Sequence, residues 1–303
     1  LLKVTRDEAV SFLQGQTTCD FTRVSAGETK LGAHCNAKGR IQAAFFAFHH
    51  NDAFYLLLPE DQALDTLAAL NKFALFSKVE MALSDDFWVV GLSGQSITAE
   101  LAAITGTNVA EQSQMKFEWG LLSPVPQLGF LGFLFPDQAV EWVKNLDPEK
   151  LVCCAESHWQ RVMIRNGVTL PSASQSEQWL PQELNYDLID GVDFKKGCYK
   201  GQEIIARIHY RGQTKVRTYP ARIQFVETEL EQDINHWKGY RILANQAVGT
   251  VITVVAEGPA SLLAAIGLKV AQAAAQNLTL DTKEDTQIQM LATSYAIPKG
   301  DAN

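Results

Sequence analysis

Apolar positions along the first 150 residues change period repeatedly, from the spacing of a helix to the alternation of a strand. Thr5-Arg-Asp-Glu8 has the form of a capping box, and Ala9, Phe12 and Leu13 supply an apolar stripe behind it. A helix is predicted there, ending near Gly15. Residues 41–48 and 53–58 read as neighbouring strands around a polar, solvent-facing turn at 49–52 that holds His49 and His50. Pro59 opens a helix with Leu64, Leu67 and Ala68 on one side. Residues 87–92 read as a buried strand, followed by a helix over about 95–104. Strands are predicted at 119–122 and 129–135, and a helix at 138–146. This interleaving points to α+β subdomains, not to a doubly wound parallel sheet. Past Gly212 strands dominate, at 216–219, 222–226, 240–243, 248–255, 262–270 and 288–291, so a C-terminal β-barrel or sandwich is expected. The polar stretch 172–183 reads as a surface loop.

Composition narrows the class. A chain of 303 residues with 47% hydrophobic and 20% charged residues folds into two or three domains. It has no apolar run of about 18 residues, which excludes a membrane span. Cys19, Cys35, Cys153, Cys154 and Cys198 are odd in number and irregularly spaced. That fits a reducing, cytoplasmic setting better than a disulfide framework. The adjacent pair Cys153-Cys154 is poor geometry for one tetrahedral metal and reads as a hydrophobic strand edge. No metal site is expected. The chain opens at Leu1 without methionine, within a strand pattern, so native sequence is expected upstream.

Net charge is −8, which argues against a protein that grips nucleic acid through its phosphates, so tight direct binding of nucleic acid is not expected. The charge is uneven, however. Between Lys195 and Arg217 lie seven Lys or Arg residues and a single acid, Glu203. Such a segment suits a local anionic ligand, or is simply a solvated helix face. Within it, Lys195-Lys-Gly-Cys-Tyr-Lys-Gly-Gln-Glu203 sets one cysteine between two glycines and among three lysines. Ile204, Ile205 and Ile208 share one face of the helix that follows, and Glu203 and Arg207 are an i,i+4 pair. Cys198 therefore precedes a helix N-terminus, where the dipole and the lysines favour thiolate over thiol. The competing reading is a small buried hydrophobe in a tight turn.

Lys196-Gly-Cys-Tyr-Lys-Gly-Gln-Glu203 resembles the signature of the YgfZ family, folate-binding tRNA-modifying proteins related to the glycine-cleavage T-protein, an aminomethyltransferase. Phe12-Leu-Gln-Gly-Gln-Thr-Thr-Cys-Asp20, Ala33-His-Cys-Asn-Ala-Lys-Gly-Arg40 and Leu180-Pro-Gln-Glu-Leu-Asn185 are similar to further blocks of that family. Gly249-Thr-Val-Ile-Thr253, Pro259 and Ala264-Ala-Ile-Gly-Leu268 look like the T-protein barrel. The resemblance implies two intertwined α+β subdomains and a C-terminal β-barrel around a central hole that holds tetrahydrofolate or a derivative. It divides the chain into a folate-binding region (1–212), a barrel (213–296) and a tail (297–303). It also implies support for iron–sulfur enzymes, among them those that methylthiolate tRNA.

By the same resemblance Trp159, read at the head of a strand over 159–164, is the folate tryptophan, and Cys198 is the functional thiol. Lys196 or Arg211 is expected to meet the folate tail. The family's other folate tryptophan should lie upstream of Leu1. Two departures stand out. Ala43 and Ala44 occupy the positions of the T-protein's paired aspartates, and alanine can neither hold an amine nor move a proton. Aminomethyl transfer is therefore not expected, although a folate-dependent one-carbon transferase or demethylase is the alternative reading. In Arg165-Asn166-Gly167 an arginine stands where relatives place a glutamate that accepts the pterin's hydrogen bonds.

Overall fold

The computed structural model describes residues 1–109, 113–226, 233–282 and 285–298. Of the expected tail at 297–303, residues 299–303 lie outside them. The first sheet is built from β1 (Leu2–Thr5), β2 (Lys30–Cys35), β3 (Ile41–His50), β4 (Ala53–Leu57) and β5 (Glu80–Leu83), in the order β2-β3-β4-β1-β5. Helices α1 (Ala9–Gln16), α2 (Phe21–Ser25) and α3 (Ala63–Asn71) accompany it. β3 shows why the pattern works. Ala43, Phe45 and Ala47 point into one core with Phe12, Leu13 and Phe21 of the helices. Ala44, Phe46 and Phe48 point the other way, where Phe48 stacks on Phe133 at 3.7 Å. Alternation buries both faces, so β3 is a central strand.

The second sheet, β6 (Trp88–Leu92), β7 (Met115–Phe117), β8 (Gly120–Val125) and β9 (Gly129–Leu134), has the order β6-β9-β8-β7, with α4 (Ile97–Thr105) and α5 (Pro136–Lys144) beside it. α6 (Glu156–Arg165) and α7 (Gln202–Arg211) lead to the third sheet. This runs β14-β11-β12-β13-β10-β15 and is formed by β10 (Val216–Phe225), β11 (Arg241–Ala244), β12 (Gln246–Gly258), β13 (Ser261–Lys269), β14 (Thr279–Leu280) and β15 (Thr286–Met290). A bridge between Leu278 and Ile288 nearly closes it into a barrel. One core cluster runs from Leu31 through Phe133 and Tyr186 to Ile252 and joins all three sheets. The α+β class and the C-terminal barrel are as expected.

Several local expectations change. The run 159–164 is helical, inside α6, with Trp159, Val162 and Met163 spaced three and four apart on the face packed against the core. No side chain caps α1, so the capping box at 5–8 does not form. The strand near 87–92 is the edge β6, with Trp88 exposed, since only β9 pairs with it. On α3, Thr66 and Leu70 are buried while Leu64 faces solvent. His49 and His50 end β3 half-buried, packed on Phe54 and Phe87, not in a solvent-facing turn. Cys153 and Cys154 are exposed and lie on no strand. Finally, 216–219 and 222–226 form one strand through Pro220. Its carbonyl accepts from Leu291 at 2.9 Å, so its missing N–H falls at the end of the β15 ladder and costs β13 nothing.

Candidate functional site

Two places carry the sequence's candidate residues. The first is the turn before α7. Gly201 enters the helix with φ of 82°, a left-handed conformation, and an added Cβ would collide with the carbonyl of Asn36, so glycine is required. Asp193 Oδ1 accepts from the backbone N–H groups of Lys195 and Lys196, at 2.7 and 2.9 Å, and shapes the start of the turn. Lys200 N–H donates to the Gly15 carbonyl at 3.1 Å. The Lys196 ammonium donates to the Thr17 and Cys19 carbonyls, both at 2.7 Å, and lies over the Tyr199 ring. Burial lowers the pKa of this lysine to about 8. Lys200 donates to Gln42 Oε1 at 3.2 Å and caps the ring of Phe73 at 4.4 Å.

Four stretches distant in sequence meet here: 12–20, 33–40, 180–185 and 195–203. Gln182 Nε2 donates to the Ile205 carbonyl at 2.7 Å, and Arg40 pairs with Glu183 at 2.9 Å. They hold out Cys198, which is exposed and, among the described residues, has no hydrogen-bond partner. The lysines flanking it are tied to other groups. The cysteines nearby are different in kind, because Cys19 and Cys35 are fully buried and burial raises both thiol pKa values, that of Cys19 to about 11.

The second place is a cavity of about 1420 Å³ where the three sheets meet. Leu57 of β4, Gly91 of β6 and Thr253 of β12 each contribute a wall, and α6 brings Trp159 and Met163. The indole of Trp159 lies directly on Gly91, where any Cβ would intrude into its ring. α6 is fixed from its other side by the barrel. Arg161 donates to the Ala256 carbonyl at 3.0 and 2.7 Å, and Arg165 pairs with Glu257 at 2.5 Å. The side chains of Arg222 and Arg165 hold Glu257 well below the usual carboxylate range, at about 2. Arg165 thus serves the helix–barrel junction and does not line the cavity.

The sequence offered no signal for three further lining residues. Thr169 and Trp142 are buried, and neither Thr169 Oγ1 nor Trp142 Nε1 has a hydrogen-bond partner among the described residues. Lys238 lines the cavity and forms no ion pair among the described residues. Cys153 and Cys154 are on the rim. Cys198, Lys196 and Arg211 do not line this cavity, so the structure does not bring the thiol turn and Trp159 together. Ala43 and Ala44 are buried within β3. No group of three or more His, Cys, Asp or Glu among the described residues could hold a metal ion. An aromatic and apolar wall interrupted by polar side chains such as His158, Asn235 and Thr253 suits a flat ligand that is partly polar.

No family model matches the chain. Over nearly its whole length, 96%, it resembles the crystal structure of glycine cleavage system aminomethyltransferase T from Bartonella henselae, with a TM-score of 0.66, 82% of that chain covered and 12% identity. That likeness concerns the fold. In sequence it is 36% identical over 210 residues to tRNA-modifying protein YgfZ of Aliivibrio fischeri, covering 69% of this chain and 64% of that protein. The protein of the same name from Vibrio atlanticus is 32% identical over 262 residues, 81% of this chain and 79% of the relative. At that identity and coverage, the chain belongs to the YgfZ family.

Proposed function

We propose that this chain binds tetrahydrofolate or a derivative in the central cavity and supports iron–sulfur enzymes that modify tRNA by methylthiolation. The observation that carries the reading is Trp159, whose indole lies on Gly91 in a cavity walled by all three sheets. A folate needs a flat apolar wall for its pterin, a few hydrogen-bond partners, and positive charge near its glutamate tail. Trp159, Leu131 and Met163 provide the wall. His158, Asn235 and Thr253 add polar side chains to the lining. Lys196 and Arg211 lie elsewhere, so the role at the tail falls to Lys238. A bound reduced folate supplies an electron-rich ring that carries one-carbon units.

Cys198 is the functional thiol in this reading. Its place outside the cavity suits work on a partner more than on the folate itself. The name of the relatives supports tRNA as the ultimate target. A net charge of −8 favours action through enzymes over a direct grip on tRNA. Five unpaired cysteines support a reducing compartment, the cytoplasm, and no described helix is long and apolar enough to cross a membrane. Alanines at 43 and 44, both buried, speak against a one-carbon transferase, since neither can hold an amine or move a proton.

Calorimetric titration with tetrahydrofolate tests the ligand. The wild-type chain is expected to bind, and Trp159→Ala to bind at least about tenfold more weakly, the loss of one stacking partner. No heat from the wild type, or equal affinity in both proteins, would remove the folate from this account.

A further inference from the structure

Just after α3 a short turn carries three large apolar side chains outward. Phe73 is 44% exposed, Leu75 79% and Phe76 99%, while Ala74 alone packs inward. Single exposed apolar residues are ordinary, but three within four positions make a sticky patch that a folded protein rarely leaves uncovered. The turn abuts the thiol turn, because Lys200, two residues past Cys198, caps the Phe73 ring. Cations predominate around it, with Lys72 near Lys200, although Glu177 lies close to Lys200 as well. Lys72 and Lys195 are exposed and form no ion pair among the described residues.

We propose that the 73–76 turn and the 195–200 turn form one docking face for a protein partner, whose apolar socket is rimmed by carboxylates and which covers Cys198 when seated. Charge selects this occupant. A second copy of the chain would bring its own Lys72 and Lys200 into a twofold contact, adding like charge to the same rim. A nucleic acid would welcome the lysines, but Leu75 has no flat face on which a base can stack, and the net charge opposes a polyanion. A socket edged with Asp or Glu uses the apolar and the cationic groups together. Phe76, fully exposed, is the side chain that fills it.

The inference rests on the reading that iron–sulfur enzymes are the partners, and its test uses one, a purified and reconstituted tRNA methylthiotransferase. In a Cys153→Ser/Cys154→Ser background Cys198 is the only exposed thiol, since Cys19 and Cys35 are buried. Two quantities are measured, binding by interferometry and the rate at which iodoacetamide alkylates Cys198 with and without the enzyme. The background protein is expected to bind and be protected. Phe76→Asp, at a solvent-facing site, is expected to bind at least about tenfold more weakly. It should lose protection and keep its tetrahydrofolate titration. Binding and protection that survive Phe76→Asp overturn the docking face alone. Protection by tRNA alone that depends on Phe76 replaces the protein partner with a nucleic acid and overturns the proposal. Failure of the background protein to bind the enzyme overturns the iron–sulfur reading and the docking face with it.

Discussion

At the scale of single residues, the pair Arg217–Asp187 is the one the fold can least afford to break. Both side chains are 7% exposed, and they meet through two hydrogen bonds of 2.6 and 3.0 Å. Arg217 Nη1 also donates to the Gln182 carbonyl at 2.9 Å, bolting the first barrel strand to the segment that holds α7. Removing one partner would strand a charge in a nearly dry place. Asp187→Ala is expected to lose about 3–5 kcal/mol in urea unfolding, whereas replacing both partners by apolar residues should cost much less. A loss near zero for Asp187→Ala would mean water reaches the pair. In the sequence Arg217 was one of seven cations in a basic run that suited an anion. The fold uses it internally, and it uses Lys196 in the same way. Charge counted along a chain does not reveal which charges are already neutralised or bound.

Among elements, the contact between β6 and α6 decides the cavity. β6 carries a glycine where its neighbour lays an indole, so the helix can approach the strand with nothing between them. Gly91→Ala would force Trp159 aside, and such overpacking costs about 1–3 kcal/mol. Its tetrahydrofolate affinity should drop by at least about tenfold, measured calorimetrically, while the fold persists. An unchanged affinity would separate the indole from the ligand. This junction also marks where the sequence was ambiguous. Six residues from Trp159 hold only four apolar side chains, too short a run to separate a buried strand from a helix by periodicity. Trp159 itself was legible through family resemblance, but its partner Gly91 was not, because a glycine in a strand pattern announces close approach without saying of what. β10 was split in two at Pro220 for a similar reason, since the sequence does not show on which side the ladder runs out.

For the molecule as a whole, buried titratable groups predict a dome of stability against pH. His34 is buried with Nδ1 on the Gln16 carbonyl, and burial lowers its pKa to about 4. Below an ordinary value of about 6.5 the unfolded chain takes up that proton and the folded one does not, so stability falls as pH drops toward 4. The buried thiols of Cys19 and Cys35 act on the other flank, keeping protons that the unfolded chain sheds above about 8.5. Lys196, lowered to about 8, opposes them with one proton. Lys200, also lowered by burial, adds to that opposition, so the two thiols leave a shallow decline in stability as pH rises above about 8.5. Urea unfolding under reducing conditions should show this slope, and Cys35→Ala should flatten it. A slope unchanged in Cys35→Ala would contradict the assignment. At this scale the sequence was most readable, because the change from mixed periodicity to strands past Gly212 foretold the barrel. The meeting of three sheets around a hole could not be read from periodicity, which records what is buried and not what it faces. That hole gives any occupant a grip on pieces of chain as far apart as Leu57 and Val254. A tenant held at a hundred times its Kd adds about 2.7 kcal/mol to the cohesion of the whole. Were the proposed folate that occupant, its scarcity would loosen the protein and expose vacant copies to proteolysis.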